Sequence, residues 1–341
     1  MKVLTFGELL LRLSAPGYER LLKKDYLNTT FCGSEANVAV ALSILGIDTV
    51  FLSKLPKNEI GYQAKRVMNY YGVDTKEMLY DHGRMGVYYL EKGISQRPSK
   101  IIYDRKYSTF SQIQIEDFNW EKIFRDITWF HWTGITPSLS DNLIQVCIDA
   151  CTYARKKGIT ISCDLNYRSK LWTTQKANLV MDKLMPYVNI CIANEEDVEK
   201  IFNIKANNLS NETTKIDRRS YKEVAQKMCE KYCFQYIAFS IRESFSANKN
   251  SWSGILYNGL NKQISNSSKY KIDIVDRVGA GDSFAAGIIY SIMNKKGDQE
   301  VIEFATALSC LKHTIEGDFC EISFEEVECL MKGFRNGRIQ R

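Results

Sequence analysis

Short apolar runs alternate along most of the chain with longer stretches in which apolar residues recur at helical spacing. Residues 2–6, 49–53, 127–132, 159–164, 188–193, 236–241 and 270–275 read as strands. Helices are predicted over 35–45, 59–71, 139–157, 175–185, 195–202, 221–232 and 283–293. Such alternation implies an α/β domain, a doubly wound and mostly parallel sheet with helices on both faces. Ligands in that architecture sit beyond the carboxyl ends of the strands, where Asp164, Asn194 and Asp282 fall.

Two segments break this rhythm. Residues 11–31 and 84–110 lack a helical period and read as β runs at 11–13, 26–30, 86–91 and 101–105. They are expected to pair into a small β-sheet lid over the substrate site that excludes water; a pair of surface hairpins used for dimerisation is compatible with the same pattern. The main α/β domain then comprises residues 1–10, 32–83 and 111–341, with 11–31 and 84–110 as lid, and a homo-oligomer through the lid is expected. Residues 203–219, rich in Asn, Ser and Thr, read as a surface insertion, and 247–251 as a shorter loop.

Composition narrows the class without naming a chemistry. Lys plus Arg number 46 and Asp plus Glu 40, giving a net charge of +6. The basic residues are interspersed with acidic ones, which argues against nucleic acid as a partner. Ten cysteines contain no Cys-x-x-Cys pair and several fall inside apolar runs, as expected for free buried thiols. Three histidines, His82, His131 and His313, are too scattered for a metal cluster. Charges at Glu8 and Arg12 argue against a signal peptide, and no apolar run reaches membrane-spanning length, so a cytoplasmic protein is expected.

The most informative segment is Asp276-Arg277-Val278-Gly279-Ala280-Gly281-Asp282, between a predicted strand and a predicted helix. Its glycines let consecutive N–H groups face outward, and the helix dipole adds a positive field, which together suit an anion. A carboxylate at that spot, Asp282, makes sense as a base that takes a proton from a hydroxyl attacking a phosphoryl group. A plain strand-to-helix turn capped by Asp explains the segment equally well when it is taken alone. Other nucleotide routes are excluded: no glycine precedes a lysine, which removes the Gly-x-x-x-x-Gly-Lys loop, and no Asp-Phe-Gly or His-Arg-Asp occurs.

A second glycine-containing segment, Cys32-Gly33-Ser34-Glu35-Ala36-Asn37-Val38-Ala39, precedes the first long helix. Together the two resemble, in order and separation, the paired signatures of the ribokinase/PfkB family of sugar kinases, over essentially the whole chain. Trp132-Thr133-Gly134-Ile135-Thr136-Pro137, Asp164-Leu165-Asn166-Tyr167-Arg168 and Tyr103-Asp104-Arg105 are similar to the members that act on 2-keto-3-deoxygluconate.

The resemblance implies a ribokinase-like fold, ATP and Mg²⁺, and a catalytic Asp282 with Gly279, Ala280 and Gly281 as its anion hole. It implies sugar contacts from Gly33, Ser34, Asn37, Tyr89, Tyr103, Arg105, Ile135, Arg168, Asp282 and Asp318. The sugar acid's carboxylate would meet Arg105 and Arg168, whose planar forks suit it. Asn194, Ser240, Arg242, Gly279 and Gly281 would contact the nucleotide. Asn194 and Asp197 would organise Mg²⁺ through water, with Asp197 standing where the family usually has Glu. Cys32 departs from the usual Gly-Gly pair and Arg277-Val278 from the usual Thr-containing pair. Asp276 matches a position near a monovalent-cation site in relatives, and its altered neighbours leave K⁺ dependence open. A fructokinase-like enzyme acting on a neutral sugar, or an inactive sugar-binding protein on the same fold, are the alternatives.

Overall fold

In the computed structural model, which describes residues 1–204 and 218–333, a nine-stranded sheet runs through the molecule. Its parallel part takes Asp48–Leu52, Lys2–Phe6, Trp129–Thr133, Thr160–Asp164, Ile190–Ala193 and Tyr236–Ser244, in that spatial order. Lys249–Asn258 then joins antiparallel and pairs in turn with Gln263–Asn266 and Tyr270–Asp273.

Strand alternation sorts the core into two layers. Cys191 and Ala193 pack on one face of the sheet, Ile190 and Ile192 on the other. The first face is covered by Asp141–Lys156, Thr174–Leu184, Glu195–Phe202 and Arg218–Tyr232. The second is covered by Ser34–Ile44, Ala280–Met293, Asp298–Lys312 and Phe324–Met331. The sheet is therefore doubly wound and mostly parallel, as the alternation implied.

Some expectations change. Residues 247–251 were expected as a loop, but Lys249–Asn258 is a strand in which Asn250, Ser251 and Trp252 are buried. Its polar opening, Lys-Asn-Ser, hides a strand whose pairing on both sides supplies the stability that its composition does not. The helix expected over 139–157 is Asp141–Lys156, started where the Ser140 side chain accepts the Leu143 N–H, and a short helix, Ile135–Ser138, that the pattern did not single out precedes it. Asp298–Lys312 and Phe324–Met331 are further helices the pattern did not single out. Of the polar stretch 203–219, residues 205–217 lie outside the described residues.

A separate four-stranded sheet is built from Asn28–Cys32, Leu10–Ser14, Gly86–Glu91 and Lys100–Asp104, in that order. Register places Arg12 beside Tyr88 and Tyr88 beside Tyr103, so these three share one face. Tyr89 sits beside Ile102 on the opposite face. Among the described residues no helix is long and apolar enough to cross a membrane.

The helices Ala280–Met293 and Asp298–Lys312 touch at Gly287, where an added Cβ would lie 2.5 Å from the Ala305 Cα. A backbone atom cannot rotate aside, so this contact requires glycine. Gly287→Val should lower stability by roughly 2–3 kcal/mol through overpacking. A urea denaturation midpoint equal to that of the parent would show that the two helices part freely there.

Candidate active site

Two helix N-termini converge beyond the carboxyl ends of the strands. Gly279 begins the helix Ala280–Met293 at φ +83, a left-handed conformation, and a Cβ there would sit 2.0 Å from the Asp318 carbonyl oxygen. Left-handed backbone and close approach each demand glycine. Ser283 closes the first turn, its N–H and Oγ both donating to the Gly279 carbonyl at 2.9 and 2.7 Å. The N–H groups of Gly279, Gly281 and Asp282 find no acceptor among the described residues. A Cβ on Gly281 would meet nothing within 4 Å. The result is a set of open donors at a positive helix end, suited to an anion.

Asp282 stands at this opening. Its Oδ2 accepts a 2.6 Å hydrogen bond from Asn37 Nδ2, and Ser34 favours its ionised form. Asn37 lies in the helix Ser34–Ile44, and its Oδ1 accepts from the Gly33 N–H at 3.3 Å. Gly33 packs on the Glu8–Leu9 backbone just before the strand Leu10–Ser14, where a Cβ would come within 2.2 Å of the Glu8 carbonyl oxygen. Burial raises the Asp282 carboxyl to about 6; the Asn37 bond opposes this, Asp318 adds to it, and the Arg168 charge and Ser34 oppose it.

Two more carboxylates face the same space. Asp164 ends its strand buried, held well above the ordinary carboxylate range by burial and by the charges of Asp197 and Asp282, with Arg168 opposing. Asp197 lies in the first turn of Glu195–Phe202, where the Asn194 side chain caps the helix by accepting the Asp197 N–H at 2.9 Å. The Asp197 Oδ1 accepts the Tyr167 N–H at 3.2 Å, and burial raises its carboxyl to about 6 against the pull of Arg168. Arg168 is exposed, donates to the Tyr167 carbonyl at 3.0 Å, and forms no ion pair among the described residues. Asn166, at φ +41, sends Nδ2 to Ser34 Oγ at 3.3 Å and ties this strand end to the Gly33–Asn37 turn.

Among the described residues no three of His, Cys, Asp and Glu are grouped so as to hold a metal ion directly. The cluster of carboxyl groups at Asp164, Asp197 and Asp282 nonetheless fits a hydrated divalent cation held through water. Ser240 and Arg242 project from one side of Tyr236–Ser244, next to the Asn194 end. Arg242 is exposed and carries no ion pair among the described residues. It lies within the field of Arg277, whose guanidinium is lowered by burial first and by Arg242 second.

The small sheet contributes differently from expectation. Tyr103 is partly exposed, its ring centroid 5.8 Å from that of Tyr88, and the Arg105 guanidinium lies 5.8 Å from its centre. Arg105 itself is buried and pairs with Glu8, Nε donating to Oε2 at 2.8 Å, while Ser108 Oγ donates to Glu8 Oε1. Its charge is therefore already matched. Tyr89, expected with Tyr103 and Arg105 among the sugar contacts, pairs with Ile102 on the face opposite the one that Tyr88 and Tyr103 share. Asp318, expected at the sugar, has its carboxylate engaged by Arg12 Nη1 and, at 2.7 Å, by Tyr88 Oη. Ile135 opens the short helix after Trp129–Thr133, buried, with its N–H on Thr133 Oγ1 at 3.2 Å.

Residues the sequence did not single out are Arg12, Glu8, Tyr88 and Glu35. Glu35, buried, accepts at Oε1 from the Thr133 N–H (3.1 Å), Thr133 Oγ1 (2.7 Å) and Thr136 Oγ1 (2.9 Å). Burial raises its carboxyl to about 7, the threonine bonds opposing. A charged residue between two small ones at a helix start was the available signal for it. The partners of Arg12 lie 264 and 306 residues away, and nothing local announces them.

The pfkB family carbohydrate kinase profile matches residues 1–318 of the chain. The crystal structure of 2-dehydro-3-deoxygluconokinase from Thermotoga maritima is 46% identical, with TM-score 0.93, covering 98% of this chain and 100% of that one. A 2-dehydro-3-deoxygalactonokinase from Haloferax volcanii is 28% identical over 97% of both chains. An Escherichia coli chain solved with ATP and Mg²⁺, 19% identical with TM-score 0.78 over 97% of this chain and 99% of that one, shares the fold. A doubly wound sheet, a carboxylate at an open helix N-terminus and a match spanning nearly every described residue lead to one assignment: the chain belongs to the pfkB family of carbohydrate kinases.

Proposed function

We propose that this sugar kinase transfers the γ-phosphoryl group of ATP to the terminal (6-) hydroxyl of 2-keto-3-deoxygluconate. The observation that carries the reading is the meeting of Asp282 with open N–H donors on one side and the unpaired Arg168 on the other. Asp282, ionised above about pH 6, accepts the hydroxyl proton as the oxygen attacks phosphorus. The open N–H groups of Gly279 and Gly281 face the charge that develops on the transferring group, which is where preorganised donors act most strongly, whereas the Ala280 N–H, expected with them, is turned to the Arg277 carbonyl at 3.4 Å. Asn37 and Ser34 hold the carboxylate in line, and Gly33 and Ile135 shape the sugar side. Ser240 and Arg242 receive the nucleotide. Mg²⁺, held through water by Asn194 and Asp197, would supply charge neutralisation at the phosphates.

The sugar acid's carboxylate goes to Arg168, because Arg105 already has Glu8 as its counter-ion. Tyr103 and Arg105 then close the site from the lid sheet. The names of the Thermotoga maritima and Haloferax volcanii relatives support a six-carbon keto-deoxy sugar acid. The matched Arg105–Glu8 pair is the feature that favours a neutral sugar as second reading. The lid leaves Tyr26, Ile102 and Tyr107 exposed, an apolar surface that a second copy of the chain would cover.

Asp282→Asn should lower kcat by about a hundredfold or more with the KM for the sugar changed little. Near-parental turnover in a coupled ADP-release assay would remove the base assignment. The parent's kcat/KM should fall as pH drops through about 6, since protonation removes the base. Because Arg168 lowers the Asp282 carboxyl, Arg168→Met should move that acid limb to higher pH. The same variant should raise KM for 2-keto-3-deoxygluconate by roughly tenfold or more, the order of one lost charge-assisted pair, and for fructose far less. Equal effects on both sugars, across a panel that includes the galactonate-series epimer, would mean that Arg168 does not read a carboxylate.

A further inference from the structure

Arg12 lies on an inner strand of the small sheet, yet its guanidinium is buried against the main domain. Nη2 pairs with Asp276 Oδ2 at 2.5 Å and Nη1 with Asp318 Oδ1, and the three side chains are almost fully enclosed. Burial alone would lower Arg12, but Asp318, Tyr88 and Asp276 outweigh it and hold the group firmly charged. Nε finds no acceptor, so the two carboxylates alone set the plane of the guanidinium. Lys312, fully buried in the field of the same two carboxylates, has its ammonium pulled down by burial and held up by Asp276 and Asp318. A buried set of this kind costs desolvation that an apolar core would avoid, so bulk stability is a poor reason for it.

What the two carboxylates hold is more telling. Asp276 Oδ1 accepts the Val278 N–H at 3.2 Å and Oδ2 the Gly317 N–H at 3.3 Å. The carbonyl of Asp318 is the atom against which Gly279 packs. Arg12 thus grips, with its two ends, both backbone segments that shape the turn of open donors. Tyr88, on the neighbouring strand of the small sheet, grips Asp318 from the same side.

We propose that Arg12 is a positioning residue for phosphoryl transfer: it fastens the small sheet to the Asp276–Asp282 turn and thereby aims the turn's N–H donors. The proposal rests on phosphoryl transfer at that turn and not on which sugar is the acceptor, so it is tested with whichever acceptor the parent phosphorylates. Lysine cannot span both carboxylates as a guanidinium fork does. Arg12→Lys and Arg12→Ala should therefore lose kcat by about tenfold to a hundredfold, the order of a misaimed anion-hole donor, with the acceptor KM within about threefold. Millimolar guanidinium, too dilute to denature, should restore several-fold of the loss in Arg12→Ala and none in the parent. Tyr88→Phe, which keeps the charges and removes one hydrogen bond, should show a smaller loss of kcat in the same direction. Unchanged kcat in a folded variant, a loss confined to KM, or a folded Arg12→Ala that guanidinium does not rescue would each overturn the proposal.

Discussion

A carboxylate enclosed in protein at the positive end of a helix, with no formal counter-charge in contact, is the constraint around which this molecule is arranged. Asp282 is drawn toward ionisation by the Asn37 bond, Ser34 and the field of Arg168, and away from it by burial and Asp318. The balance leaves it near 6, basic enough to take a proton and ionised at neutral pH. A fully solvated aspartate would be a weaker base, and one salt-bridged directly to arginine weaker still. Asn37 serves better than a cation here because it orients the carboxylate without stripping it of basicity.

Bringing that group together requires two distant helix starts to meet, and the doubly wound sheet does this without a dedicated device. The strands Lys2–Phe6 and Thr160–Asp164 flank Trp129–Thr133, so their carboxyl ends lie side by side and their loops face one space. Gly33 and Gly279 then let each helix start approach foreign backbone, Glu8 in one case and Asp318 in the other. Both approaches are to carbonyl oxygens, which cannot move without moving a strand or a turn. The glycines are demanded by neighbours far away in the chain as much as by local turn geometry.

That distinction explains what was legible in the sequence. Parallel strands buried on both faces, such as Ile190–Ala193, are short apolar runs and could be read directly. The Gly279–Asp282 turn was legible because its chemistry is local: glycines, a following helix and one carboxylate. Lys249–Asn258 was not, because its polar start becomes strand only through partners on both sides. Tyr88 and Tyr89 are indistinguishable in the sequence, and only the register of Gly86–Glu91 against Lys100–Asp104 assigns them to faces. The pairing of Arg105 with Glu8 spans 97 residues and turns an apparent free cation into a matched one. Side-chain type announces a chemistry; whether the charge is still available is decided by tertiary contacts.

Glu35 shows how far this reaches from the reacting centre. A glutamate in the first turn of a helix favours its positive end, but this one is buried and meets hydroxyls and an N–H rather than a cation. Its Oε2 occupies the space where a Cβ at Gly7 would stand, 2.0 Å away, so Gly7 is small because Glu35 is there. The three donors come from the end of Trp129–Thr133 and from the short helix that Ile135 opens. The carboxylate therefore welds the start of Ser34–Ile44 to the ends of two neighbouring strands, and through Asn37 it fixes where Asp282 finds its partner. Replacing it by an apolar residue would spare the burial of a carboxyl yet strand the Thr133 N–H and hydroxyl in a dry interior, where an unmet polar group costs about 1–3 kcal/mol. The polar core beneath the site is thus specified by geometry: the groups buried there are fixed by the partners that meet them.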